Sequence, residues 1–351
     1  MRRSSTPALF DRAGRSFAES ALELANASRA KPAVLPSRDE LAPLVDEVLE
    51  LLRSESPDLR LPDGKGRPGG LVTLPKLPTI LVPDIHARPA FLSRLFAWTP
   101  PGLKNPVATL LSRGEMNLVC VGDVFHSEWG KARDRWIEAY GEYASGWVAH
   151  RAMDEEMSLS LGAVRIVLEA KRAFPRYFHY LKGNHDNIAD EEGRGDHSFM
   201  KFVAEGEMVA SWFFLSYGEV LLKRYRELEL SLPLLVRGDR FVASHGEPAF
   251  ALGIEDILEY RSRPDVVEAL IWTPNDASEA GSVAKSIEAL FGAGKAAGVL
   301  WFAGHRPVGG RYALRAGGRF VQFHNPGKHQ VVYLLPGRDP DPKRDIYDIG
   351  G

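Results

Sequence analysis

The 351-residue chain carries 44 Lys and Arg against 46 Asp and Glu, a net charge of -2 that gives no bulk electrostatic pull toward nucleic acid or an anionic membrane. Its 44% hydrophobic and 26% charged residues are ordinary for a globular protein of one large domain or two smaller ones. Its one cysteine, Cys120, sits in an aliphatic run, which excludes an intrachain disulfide and suits a reducing, cytoplasmic setting.

In chain order, "MRRSSTPALFDRAGRSF" opens with two arginines, but Asp11 and Arg12 interrupt it before an apolar stretch of signal-peptide length develops, so no export signal is expected. Residues 1–75 read as an N-terminal helical extension and linker. One amphipathic helix is predicted in "SRDELAPLVDEVLELLRSE", with Ser37 as its cap and Leu41, Leu44, Val45, Val48, Leu51 and Leu52 as its apolar stripe. The following "PDGKGRPGG" breaks that pattern and reads as a linker or exposed loop.

Residues 76–336 alternate short apolar runs with longer helical patterns, which predicts a layered α/β fold. The runs are "TILVPDIH", "NLVCVGD", "YFHYLKGNHD", "FVASHGE" and "VLWFAGH", followed by "RFVQFHN" and "QVVYLL". Between the second and third lies enough sequence for one or two helices covering a sheet face. The most apolar segment, "MVASWFFLSYGEVLL", contains Glu219 and is shorter than the roughly 20 residues of a membrane-spanning helix. Residues 337–351 are polar and proline-rich and are expected to be loosely held.

An aspartate and a histidine after one strand, such as Asp84 and His86, ordinarily make a turn. Here the first five apolar runs all stop at Asp, His or Asn, and carboxyl ends of neighbouring strands converge on one crevice in α/β sheets. Asp84, His86, Asp123, Asn184, His185, Asp186, His245 and His305 then form a carboxylate, amide and imidazole set suited to borderline divalent metals.

The blocks "PDIHARP", "VGDVFHSE", "KGNHDN", "SHGEP" and "AGHRPVGG" resemble, in order, those of the calcineurin-like metallophosphoesterase superfamily: D-x-H, G-D-x-x-D, G-N-H-D/E, H and G-H. The resemblance spans about residues 79–335. It implies a β-sandwich of mixed sheets flanked by helices, two divalent ions (Mn, Fe or Zn), and hydrolysis of a phosphate ester by metal-activated water. Carried over, Asp84 and His86 would hold the first metal, Asp123 would bridge both, and Asn184, His245 and His305 would complete the second. His185 would protonate the leaving-group oxygen, and Asp186 would orient it or cap a helix.

The sequence departs from the family twice. The second block has His126 and Ser127 where protein serine/threonine phosphatases have aspartate and arginine, so His126 is expected to partner His185 or touch phosphate, as in the repair-nuclease members. The fifth block has Pro307 where many phosphodiesterases carry a second histidine, so "GHRPVGG", with "LIWTPND" upstream, is closer to the bacterial protein-phosphatase and diadenosine tetraphosphatase branch. That leaves the first metal with fewer protein ligands. Arg88 and Arg306 are the candidates to bind phosphate, because a guanidinium fork matches its oxygens. His324 and His329 read as strand and hairpin residues, and Trp129 and Trp136 as core rather than cleft.

The expected substrate is a phosphomonoester (small molecule or phosphoprotein) or a nucleotide polyphosphate. Nucleic acid and membrane are not expected partners. The alternatives are a phosphodiesterase or nuclease of the same superfamily, which His126 would favour, and a non-catalytic metal-binding scaffold.

Overall fold

The computed structural model describes residues 6–350, and its strands alternate their side chains between separate cores. Twelve strands occur among the described residues: β1 (Arg60–Pro62), β2 (Pro68–Thr73), β3 (Thr79–Val82), β4 (Asn117–Cys120), β5 (Phe178–Tyr180), β6 (Leu235–Arg237), β7 (Phe241–Ser244), β8 (Leu300–Ala303), β9 (Ala313–Arg315), β10 (Phe320–Gln322), β11 (Gln330–Leu334) and β12 (Ile346–Asp348). They form a seven-stranded sheet, β1-β2-β6-β7-β8-β10-β9, and a five-stranded sheet, β12-β11-β3-β4-β5. The trio β3, β4 and β5 is parallel, as is the trio β7, β8 and β10.

Strand side chains repeat every second residue, so each strand buried on both sides feeds two layers. Leu81, Val119 and Val332 of one sheet meet Ala243, Phe302 and Val321 of the other in a shared core. Ile80, Leu118 and Cys120 point the opposite way, under helices α1 (Thr6–Ala27), α2 (Arg38–Arg53), α3 (Pro89–Ala97), α4 (Val107–Ser112), α5 (Ala132–Ala144), α6 (Arg151–Ala173), α7 (Glu205–Tyr217) and α8 (Glu219–Glu229). Val242, Trp301 and Phe320 face α9 (Ile254–Leu258), α10 (Pro264–Ile271) and α11 (Ser282–Phe291). The result is helix, sheet, sheet, helix, the layered sandwich of mixed sheets that the sequence led us to expect.

The predicted amphipathic helix is α2, closed by a Ser37–Glu40 capping box; Leu49 is buried and Leu51 half-buried, a one-residue rotation of the expected stripe. Three expectations are corrected. Helix α1 was not foreseen, because its contact face is made of small residues: Ala21 and Ala25 are buried, and Gly14 lies against the Thr109 backbone. "PDGKGRPGG", read as a linker or exposed loop, is a largely exposed turn between β1 and β2 over residues 63–67, but its last three residues begin β2, which pairs with β6. The tail is not loose: a short α12 (Pro342–Asp345) leads into β12, which pairs with β11. Helix α1 and β2 are ordered by partners remote in sequence, whereas β12 pairs with the strand just before it. The most apolar segment is α7 running into α8, broken at Gly218 with φ 85°, and among the described residues no helix is long and apolar enough to cross a membrane.

A buried ion cluster ties the start of the chain to the sandwich. The Glu55 carboxylate accepts from Lys171 Nζ at 2.5 Å and from Arg60 Nη1 at 2.9 Å, and all three side chains are buried. Burial alone would raise the Glu55 pKa, but Lys171 and Arg60 outweigh it and bring it down to about 2 from an ordinary 4.5. A carboxylate lowered in this way contributes stability that is present above its unfolded pKa and disappears as pH falls through the folded one. Glu55→Gln is expected to cost about 3–5 kcal/mol at neutral pH, because it leaves two buried cations unpaired. The deficit should shrink as the pH drops from about 4.5 toward 2, as read from urea midpoints of variant and wild type.

Candidate metal centre

Both parallel trios end at the same rim of the sandwich, and each chain segment turns sharply there. Two glycines make the turns possible. Gly122 has φ 121°, and a Cβ on Gly304 would overlap Asp84 Oδ1. His86, Asp123 and His305 follow with φ of 43°, 54° and 58°, a left-handed backbone that costs about 1–3 kcal/mol per residue and is found where the surroundings enforce it. Backbone hydrogen bonds do the enforcing: His86 N–H donates to Asp123 O at 2.7 Å, and Gly304 N–H to His245 O at 3.0 Å.

Asp186 staples the centre from below. Its carboxylate accepts from Asp123 N–H (3.0 Å), Gly183 N–H (2.8 Å) and the Tyr180 hydroxyl (2.5 Å). The residue holds the loops that carry Asp123 and Asn184 and presents no free oxygen to a substrate. Asp186→Ala should lower the melting temperature by stranding buried donors, each at about 1–3 kcal/mol, and an unchanged melting temperature would contradict this role.

Six predicted ligands come together. Asn184 Oδ1, His245 Nε2 and His305 Nδ1 lie 2.9, 3.0 and 3.1 Å from one another. Donors about 2.1 Å from a common cation stand roughly 3.0–3.4 Å apart, so this triangle is compatible with three ligands on one ion. Asp123 Oδ2 is 3.4 Å from His245 Nε2 and 3.7 Å from His86 Nε2, which places one carboxylate between two clusters. Asp84 Oδ2 lies 3.7 Å from His86 Nε2. The free nitrogens are fixed by the bound ones: His245 Nδ1 faces Val121 O at 3.0 Å and His86 Nδ1 faces Phe125 O at 3.3 Å, leaving each Nε2 as the lone-pair donor.

The electrostatics fit a cation. Burial, then the neighbouring carboxylates Asp123 and Glu128, push Asp84 up to about 7 despite His245; burial and Asp186 raise Asp123 well above the carboxylate range. Burial holds the imidazoles of His86, His245 and His305 below their ordinary value, so they are neutral. Asp84 Oδ2 and His305 Nε2 are buried without a hydrogen-bond partner. Neutral imidazoles and crowded carboxylates are the forms in which metal ligands bind, and a divalent ion supplies the missing charge.

The structure departs from sequence reasoning around this core. His185 donates its backbone N–H to Asp123 Oδ1 at 2.8 Å, and its ring packs against His86 (5.2 Å) and Phe199 (4.8 Å). His126 packs against it, the ring centroids 4.7 Å apart and the planes tilted by 34°, without a hydrogen bond. His126 also contacts no open space: it is fully buried on Trp136, with Nε2 3.3 Å from Glu205 and Nδ1 3.5 Å from Glu128. Burial would depress its pKa, but Glu128 and Glu205 together raise it to about 9. Arg88 directs Nε, Nη1 and Nη2 at the backbone oxygens of Ile85, Lys328 and Asp84, so its fork is occupied, whereas Arg306 Nε has no partner. Trp136 is core as expected, while Trp129 is 64% exposed and lines a pocket of about 270 Å³ beside His86.

Sequence reasoning missed Glu128, Lys201 and Glu205, which form a chain of ion pairs around His126. Glu128 and Lys201 are joined across 73 residues, and no local pattern announces such a pair. It also set aside His324, fully buried with its Nδ1 3.9 Å from Asp84 Oδ2. Among the described residues, three groups have ligand atoms close enough to share an ion: Asp84, Asp123 and His245; Asp84, His86 and His324; and His86, His126 and His185.

The architecture has a counterpart among solved structures. A protein serine/threonine phosphatase from Saccharomyces cerevisiae superposes with a TM-score of 0.57 at 14% identity, over 91% of each chain. This chain shares that phosphatase's fold. A cold-active protein-tyrosine phosphatase of a psychrophilic Shewanella is also similar, with a TM-score of 0.45 at 12% identity, over 80% of this chain and 82% of its own. No family model and no curated protein matches the sequence.

Proposed function

We propose that this protein is a dinuclear metal-dependent phosphoesterase that hydrolyses phosphomonoesters, either small molecules or phosphoproteins, or nucleotide polyphosphates. One observation carries the reading: Asp123 Oδ2 lies within 3.4 Å of His245 Nε2 and 3.7 Å of His86 Nε2, so a single carboxylate can serve two ligand clusters. The phosphatase fold at 14% identity is consistent with it. Two divalent cations bound there, whether Mn, Fe or Zn, supply Lewis-acid polarisation of the phosphoryl group and acidify water.

The chain's own residues do the rest. Asp84 and His86 serve the first position, and Asn184, His245 and His305 the second; the neutral amide of Asn184 leaves that side enough net positive charge to attract a phosphate. His185 sits at the boundary of the two clusters, its main chain anchored to Asp123, and gives a proton to the leaving oxygen. Arg306, next to His305 and with its guanidinium not held by backbone carbonyls though its Nε is buried, binds phosphate through its outer nitrogens, whereas Arg88 fixes the loop that carries Asp84. His126 lies behind His185 as a charged, fully packed neighbour; burial and then that charge hold the His185 imidazole below its ordinary pKa, so the proton that His185 donates has to be taken up during turnover.

The test is a panel of mono-, di- and polyphosphate esters with added Mn²⁺. Faster turnover of p-nitrophenyl phosphate than of bis-p-nitrophenyl phosphate is expected, and the opposite order would move the reading to a diesterase.

A further inference from the structure

We infer that His324 is a ligand of the first metal, an assignment that rests on the two-cation reading above. Three observations converge on it. The side chain is fully buried, and neither ring nitrogen has a hydrogen-bond partner, an arrangement that a neutral histidine in a core does not tolerate without a further contact. Its Nδ1 lies 3.9 Å from Asp84 Oδ2, an oxygen that is itself buried and unpartnered. Its ring stands 5.4 Å from that of His86 at an interplanar angle of 63°, so Asp84, His86 and His324 surround one point from three directions.

The backbone explains how a residue this far along the chain arrives there. β10 runs parallel to β8, with Gln322 opposite Ala303, and Phe323 N–H continues the ladder to Ala303 O at 3.1 Å. His324 therefore stands beside Gly304 and His305 at the ends of adjacent strands, and Val308 N–H fixes it by donating to His324 O at 2.8 Å. The next strand thus delivers an imidazole that Pro307 cannot. On this assignment the first metal is not poor in protein ligands: Asp84, Asp123, His86 and His324 would give it two carboxylates and two imidazoles. The second position has one shared carboxylate, an amide and two imidazoles, so the first is the more anionic.

Manganese binding by equilibrium dialysis, counted per chain, tests this in wild type, His324→Ala and His329→Ala. Wild type and His329→Ala should bind two Mn²⁺, and His324→Ala should hold one with unchanged affinity and the other more than about 100-fold weaker, because outer-sphere losses alone reach 10–100-fold. Two unweakened ions in a folded His324→Ala would overturn the assignment. A wild type that binds no ion would instead overturn the two-cation reading itself, so the two failures are distinct. If the alanine variant does not fold, zinc-loaded wild type labelled with ¹⁵N-histidine decides: long-range NMR should show four metal-bound imidazoles, His86, His245, His305 and His324, and three would refute the proposal.

Discussion

Asp123→Asn is expected to abolish nearly all phosphoesterase turnover, lowering kcat/KM by well over 100-fold at saturating Mn²⁺. Loss of an outer-sphere partner already costs 10–100-fold, and Asp123 stands between both clusters. Its Oδ2 faces His245 and His86, and its Oδ1 accepts the backbone N–H of His185 at 2.8 Å. An asparagine amide cannot meet all three demands, since whichever way it is flipped its NH₂ points at an imidazole or at a backbone N–H.

The same substitution should have the opposite sign on the stability of EDTA-treated protein. The Asp123 carboxyl is raised well above its ordinary range by burial and by Asp186. A carboxyl with a raised folded pKa binds its proton more tightly in the native state. The fold then loses stability as pH rises from the unfolded value through the folded one. The asparagine variant escapes that loss and should melt at or above wild type at pH 7 in EDTA, while gaining less from added Mn²⁺. A variant that is less stable in EDTA and equally active would contradict both arguments.

His185→Gln should cost about 10²–10⁴-fold in kcat on an alkyl phosphate, the range of a general acid. On p-nitrophenyl phosphate the loss should be smaller, because that leaving group departs without a proton. Metal content should stay at two ions per chain, since His185 is assigned to the leaving group and not to a cation. In the competing arrangement His86, His126 and His185, whose ring nitrogens lie close enough together, share an ion. Equal losses on both substrates together with a missing ion would move His185 into the ligand set.

Much of this centre was legible in the sequence because strand ends advertise themselves. An apolar run that stops at Asp, His or Asn beside Gly marks both a buried strand and the direction its last side chains face. Five such runs located Asp84, His86, Asp123, Asn184, His245 and His305, and the structure brings those six together. "RFVQFHN" ends by the same rule, and applying it a sixth time would have picked out His324. The arginines were harder, since proximity in sequence to a ligand says nothing about whether a guanidinium is already occupied, as Arg88 is by three carbonyls. Glu128, Lys201 and Glu205 left no local trace, because their pairing depends on the loop between β5 and α7 folding back over the rim. Likewise β2 depends on the remote β6, while β1 and β12 are three-residue edge strands that pair only with their neighbours β2 and β11, so their own composition reads as turn or tail.

The most direct measurement of the central claim is Mn²⁺ titration into EDTA-stripped, desalted protein while p-nitrophenyl phosphate hydrolysis is followed. The structure predicts no turnover at zero metal and a rise that levels off at two equivalents per chain. Turnover that survives without metal, or saturates at a single equivalent, would contradict a carboxylate shared between two cations.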